Sequence, residues 1–169
     1  MNSDLLGGKT CFLEGTWTGK GEVLGKGVEY LETSTFTTIK TSPAIVVKWD
    51  QGTMHAEKKV GLHAENGFLK IKPALNENGS FKGELLLSHP FGMNEFYTDV
   101  QFSFEDGTLV CLANSPGAFQ RGTEQKGQIT TSVKREYKLV GGELHYDMYL
   151  GINGEDRKHH LHAELKLKS

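Results

Sequence analysis

The side chains best suited to chemistry in this chain are its histidines. Three of the seven stand close together, as His159, His160 and His162. Imidazole is the commonest transition-metal ligand and titrates near neutral pH, so the cluster offers metal ligation or acid–base work. The plainer reading is a set of exposed rings at the start of a strand. Three His-Ala-Glu triplets also occur, beginning at His55, His63 and His162. In a strand, residues two apart share a face, so each triplet can set a carboxylate beside an imidazole. Solvated pairs on an outer face are the expectation for each, because polar residues commonly alternate this way.

The residues around the histidines identify the element that carries them. From Leu161 onward, Leu161, Ala163, Leu165 and Leu167 alternate with His162, Glu164, Lys166 and Lys168. That period of two marks a strand with one wet face and one buried face. His160 falls in phase with His162 and Glu164, so a regular strand points it outward. It reaches the interior only if the strand is irregular at its start, at the rim of a barrel. A polar turn over residues 151–157 precedes it.

Other chemistries find no support. The serines form no nucleophile elbow. Cys11 and Cys111, the only cysteines, are isolated rather than paired in a zinc spacing, and are expected to be two free thiols. Gly19-Lys20-Gly21 lacks the register and the following helix of a phosphate-binding loop. A net charge of −2 argues against a nucleic-acid partner. No apolar run approaches the roughly 20 residues of a membrane helix. Nothing at the N-terminus reads as a signal peptide, so the expected compartment is the cytoplasm.

The 169 residues, 37% hydrophobic and 24% charged, suit one domain with a real core. A leader over residues 1–11 and a barrel domain over 12–169 are expected. Strand-like runs cover residues 12–23, 28–41, 44–49, 58–72, 83–89, 94–104, 109–113, 129–139 and 144–150, followed by the closing strand. Asn66-Gly67 reads as a hairpin turn inside the fourth run, with a bulge as the alternative. Asn76-Glu77-Asn78-Gly79 reads as a turn, and residues 114–122 as a loop. Phe96, Thr98, Val100, Phe102 and Phe104 read as one alternating row. The glycines of the first run mark a bend or a close backbone approach. No stretch repeats apolar residues at helical spacing. About ten strands joined by short turns predict an all-β, single antiparallel up-and-down barrel, lipocalin-like or fatty-acid-binding-protein-like, wide enough to hold a ligand.

Several motifs, taken in order, carry a resemblance. They are Gly15-Thr16-Trp17-Thr18-Gly19-Lys20-Gly21, then Glu29-Tyr30-Leu31-Glu32 with Phe36, then His63-Ala64-Glu65-Asn66-Gly67-Phe68. His89-Pro90-Phe91-Gly92, Arg135-Glu136-Tyr137, Leu144-His145-Tyr146 and His160-Leu161-His162-Ala163 follow. Together they resemble the nitrobindins, haem-binding β-barrels related in shape to fatty-acid-binding proteins, over residues 13–167. The resemblance implies haem b as cofactor, with the histidine of the terminal His-Leu pair, His160 here, as the iron ligand. It implies that the ferric form isomerises peroxynitrite to nitrate and binds nitric oxide. Lys126 and Arg121, before the last hairpin, are the candidates to face the haem carboxylates. Residues 22–28 are shorter than the family's corresponding segment and lack its Tyr-Pro-Thr-Ile element. The alternative is a non-haem carrier or sensor barrel for a small apolar ligand such as a fatty acid. The partner is a small molecule in either case, with no nucleic acid and no membrane, and a homodimer is left open.

Overall fold

A computed structural model describes residues 11–75, 81–105, 108–114, 119–121 and 127–168, with side chains omitted at 73–75, 104–105, 108–114 and 119–121. The described strands are β1 (Gly15–Val23), β2 (Val28–Lys40), β3 (Ile45–His55), β4 (Gly61–Leu75), β5 (Phe81–His89) and β6 (Met93–Glu105). They continue as β7 (Thr108–Asn114), β8 (Phe119–Arg121), β9 (Thr130–Val140), β10 (Glu143–Ile152) and β11 (Lys158–Leu167). Every pairing is antiparallel, and sequence neighbours pair from β1 to β7. β7 then pairs with β9, and β9, β10 and β11 continue the meander until β11 returns to β1. Ten strands therefore close a ring, which removes the free edges that would invite pairing with other chains. The eleventh strand, β8, is a short addition beside the start of β6.

Alternation along each strand divides the barrel from its surface. The inner residues segregate along the axis. One end is a packed aromatic core, where Phe36 meets Trp49 edge-on at 4.7 Å between centroids and Trp49 meets Tyr137 at 5.2 Å. The turn before β1 closes this end: Phe12 and Leu13 are buried, and the Trp17 indole N–H donates to the Leu13 carbonyl at 2.6 Å. The other end is open.

Four sequence expectations change in detail. Asn66-Gly67 is no hairpin, because β4 runs straight through it and Gly67 lies between Trp49 of β3 and Leu87 of β5. A Cβ on Gly67 would stand 1.8 Å from the Leu86 carbonyl oxygen, so the glycine serves a close strand approach rather than a turn. Gly19 plays the same part against Glu164 on β11, as the close-approach reading of the first run expected. β3 continues past Trp49 to His55. β6 changes phase: Tyr97 faces Leu85 and Val100 faces Gly83, so two residues of β6 oppose one of β5. Phe96 is consequently half exposed while Val100 and Phe102 are buried, and the five-residue row is split by this bulge. The expected loop at 114–122 holds β8, while the turn at 76–79 lies outside the described residues. Cys11 is buried, and the Cys111 side chain lies outside the described residues.

The Gly67 contact is testable. Gly67→Ala forces β4 away from β5 and is expected to cost about 1–3 kcal/mol, the usual range for overpacking a tight site. Urea unfolding measures it; a change below a few tenths of a kcal/mol would mean the strands separate freely there.

Candidate functional site

The open end of the barrel is a cavity of about 640 Å³. This falls within the roughly 300–1,000 Å³ typical of cofactor pockets. Its walls combine an apolar set (Val23, Met148, Leu150 and Leu161 among them) with polar groups gathered on the inner rows of β2, β3, β4, β5, β6 and β9.

His160 lines this cavity, and a bulge is the reason. On β11, Leu161 pairs with Met148 of β10 while His159 pairs with Tyr149, leaving His160 as an extra residue between consecutive partners. The extra residue shifts the phase, so His160 and Leu161 both border the cavity while their neighbours point away. The Leu24 N–H, in the short β1–β2 turn, donates to the His160 carbonyl at 2.9 Å and fastens the bulge. Burial first, and then the nearby positive charge of Lys26, hold the His160 imidazole below its ordinary pKa. It is therefore neutral at pH 7, with a lone pair available. Among the described residues, no hydrogen bond takes up its ring nitrogens.

The other clustered histidines face outward. His159 Nε2 and His162 Nδ1 each lie 2.8 Å from Asp147 Oδ1. Burial lowers the His162 pKa, but the hydrogen bonds and negative charges of Asp147 and Glu164 together outweigh it and raise the pKa overall. The three triplets also diverge. His55 accepts the backbone N–H groups of Glu57 and Lys58 in the turn after β3, and His162 with Glu164 stays on the outer face. His63 and Glu65 instead face into the cavity, contrary to the expectation of a solvated outer pair. Lys126 lies outside the described residues, as does the side chain of Arg121.

Beneath the cavity sits a buried ionic network. Arg135, 1% exposed, donates through Nη1 to Glu65 Oε1 at 2.7 Å and through Nη2 to Glu65 Oε2 at 2.8 Å. The same guanidinium donates to Glu95 Oε1 at 3.0 Å and to the Tyr146 hydroxyl at 2.9 Å. Glu95 also receives the Tyr97 hydroxyl and lies 2.8 Å from His89 Nε2. His89 Nδ1 in turn lies 3.2 Å from His63 Nε2. Burial, the largest single influence, works to raise both glutamates, but Arg135 together with His63 and His89 at Glu65, and with His89 and Tyr97 at Glu95, holds each carboxyl below the usual range. Both are ionised, and Arg135 is a permanent cation. These residues carried a signal in the sequence: Arg135 shares a phase with Val133 and Tyr137, Glu65 with Leu69, and Glu95 with Tyr97. A charge in an apolar row points at the core.

The lining suits a flat apolar cofactor bound through one imidazole, since a neutral nitrogen donor stands among aliphatic side chains at the mouth. Comparisons with known proteins bear on the family and the fold. The family described as "THAP4-like, heme-binding beta-barrel domain" matches residues 8–167. Peroxynitrite isomerase 2 of Mycobacterium marinum is 31% identical over 161 residues, covering 93% of this chain and 91% of that protein. Peroxynitrite isomerase 1 of Mycolicibacterium paratuberculosis is 30% identical over 158 residues, covering 90% and 89%. The crystal structure of Rv2717c from M. tuberculosis superposes with a TM-score of 0.76 over 98% of each chain at 24% identity, which bears on the fold alone.

Proposed function

Since the chain belongs to the THAP4-like haem-binding β-barrel family, the nitrobindin type its motifs resemble, we propose that its cavity binds haem b through His160 and isomerises peroxynitrite to nitrate. The observation that carries this reading is the bulge that brings a neutral imidazole to the mouth of the cavity, beside its aliphatic side chains. Bound ferric haem would supply a Lewis-acidic iron for an anionic oxidant or for nitric oxide. The chain's own part is to present and dry the site. The bulge and the Leu24 hydrogen bond hold the backbone of His160, and burial keeps its ring deprotonated. Val23, Met148, Leu150 and Leu161 exclude water around it. Lys126 and Arg121 are assigned to the haem carboxylates, and the cytoplasm is the compartment of the reaction.

A fatty-acid carrier is less well supported. Among the described lining residues the one Arg or Lys is Arg135, and two glutamates already bind it. A ligand carboxylate would bring a third negative charge to a buried group that carries one net negative charge from Glu65, Glu95 and Arg135.

Titrating the purified protein with hemin tests the reading. The wild type is expected to give a sharp Soret band of imidazole-ligated haem, and His160→Ala to lose that signature while keeping its far-UV circular dichroism. An identical spectrum in the variant would sink His160 as the ligand. Stopped-flow decay of peroxynitrite with the ferric protein then separates isomerase from carrier.

A further inference from the structure

We propose that the cavity contains a second site, independent of His160, in which His63, His89 and Glu65 bind one divalent transition metal of the Zn²⁺ type. His63 and Glu65 come from β4 and His89 from the end of β5, and all three border the cavity. The atoms facing one another are His63 Nε2, His89 Nδ1 and Glu65 Oε2. Their separations are 3.2 Å between the two nitrogens, 3.3 Å from His63 to Glu65 and 3.8 Å from His89 to Glu65.

Zn–N and Zn–O bonds of about 2.0–2.2 Å place tetrahedral ligands roughly 3.3–3.6 Å apart. The three observed distances scatter about that range, so the triangle is close to one face of a tetrahedron. Two histidines and one carboxylate make up the protein ligand set of a catalytic zinc site, in which a fourth position stays open to water or substrate. All three ligand residues border the cavity, so a metal held by them would be reached from it.

The surroundings match what a metal site requires. His89 Nε2 lies 2.8 Å from Glu95 Oε1, the carboxylate–histidine support that fixes the tautomer and aims Nδ1 at a metal. Glu65 Oε2 accepts from Arg135 yet keeps a second lone pair. Glu65, Glu95 and Arg135 sum to one negative charge in a buried place, which a dication overcompensates and a bound anion would then balance. The Phe91 ring stands beside both imidazoles, with centroids 5.5 Å from His63 and 5.0 Å from His89. The competing occupant is a single proton shared between the two facing nitrogens. A metal differs by recruiting Glu65 as its third ligand.

Cobalt(II) added to the haem-free protein decides between them. One equivalent is expected to produce the intense visible bands of four-coordinate Co²⁺, displaced by Zn²⁺. His63→Gln, at the most exposed of the three ligands, is expected to weaken binding by at least about 100-fold, beyond the 10–100-fold typical of an outer-shell change. His160→Ala should leave cobalt binding unaltered, so failure of the haem reading and failure of this one are distinguishable. His145→Ala controls for the outer group of His145, His162 and Glu164, whose side chains also converge. X-ray absorption of the Zn²⁺-loaded wild type needs no variant and is expected to show two imidazole nitrogens. The absence of visible bands, bands that persist in His63→Gln, or bands lost in His145→Ala would overturn the proposal.

Discussion

Arg135→Met is expected to lower the free energy of unfolding at pH 7 by about 3–5 kcal/mol, the range for removing one partner of a buried ion pair. Arg135 contributes its side chain to both Glu65 and Glu95, and all three are essentially sealed from solvent. Without the guanidinium, two carboxylates would be buried with a tyrosine hydroxyl and imidazoles as their remaining partners. The variant must either protonate them or admit water, and both routes destabilise the fold.

The sign of the pH effect follows. In the wild type, Arg135 holds both glutamates below their unfolded pKa, so its contribution is present above that pKa and disappears as pH falls through the folded values. The deficit of Arg135→Met should therefore shrink in acid, where its glutamates are protonated. Adding Glu65→Leu and Glu95→Leu to Arg135→Met should restore much of the loss at pH 7, because an apolar substitute for a complete buried ion network is often neutral or better. Urea unfolding of the single and triple variants across pH checks both statements. A single-variant loss under about 1 kcal/mol would show that water already solvates the network.

This network also shows what alternation reveals and where it stops. The period of two located nearly every strand, and closure followed from the run of hairpins. Gly67 and the phase change in β6 were opaque for a common reason: both depend on how closely a neighbouring strand approaches, which one strand's sequence does not state. The same applies to His160. Its phase assigns it to the outer face, and only an extra residue opposite Met148 and Tyr149 turns it inward. The requirement for irregularity at the strand start was legible; the bulge itself arises from pairing with β10 and from the Leu24 tether. Arg135, Glu65 and Glu95 were readable in principle, as charges in apolar rows. One strand's alternation places each charge on an inner row but says nothing of its partners, and only the closed barrel brings these three together.

Glu32 gives the second large effect. It is 2% exposed on the inner row of β2, with Oε1 accepting from Ser34 Oγ and Gln51 Nε2, both at 2.7 Å. Its Oε2 has no partner. Burial, assisted by the negative charge of Glu65, raises its pKa from 4.5 to about 7 against the lowering influence of Ser34, Gln51 and Arg135. The fold thus prefers the protonated form. The contribution of Glu32 to stability is fully present below about pH 4.5 and is lost as pH rises through about 7. That interval corresponds to about 3 kcal/mol. Glu32→Gln keeps the Oε1 acceptor and removes the titration. Its stability relative to wild type is therefore expected to rise by up to about 3 kcal/mol between acid and pH 8. Denaturant midpoints measured at intervals of pH would read this directly, and a difference that stays flat from pH 4.5 to 8 would show that Glu32 is ionised throughout. Because Gln51 both holds Glu32 and borders the cavity, the charge on this carboxyl also bears on the ligand. Near pH 7 it adds a partial negative charge behind Gln51 to the net charge of the Arg135 network, which favours a cationic or metal-bound occupant over an anionic one.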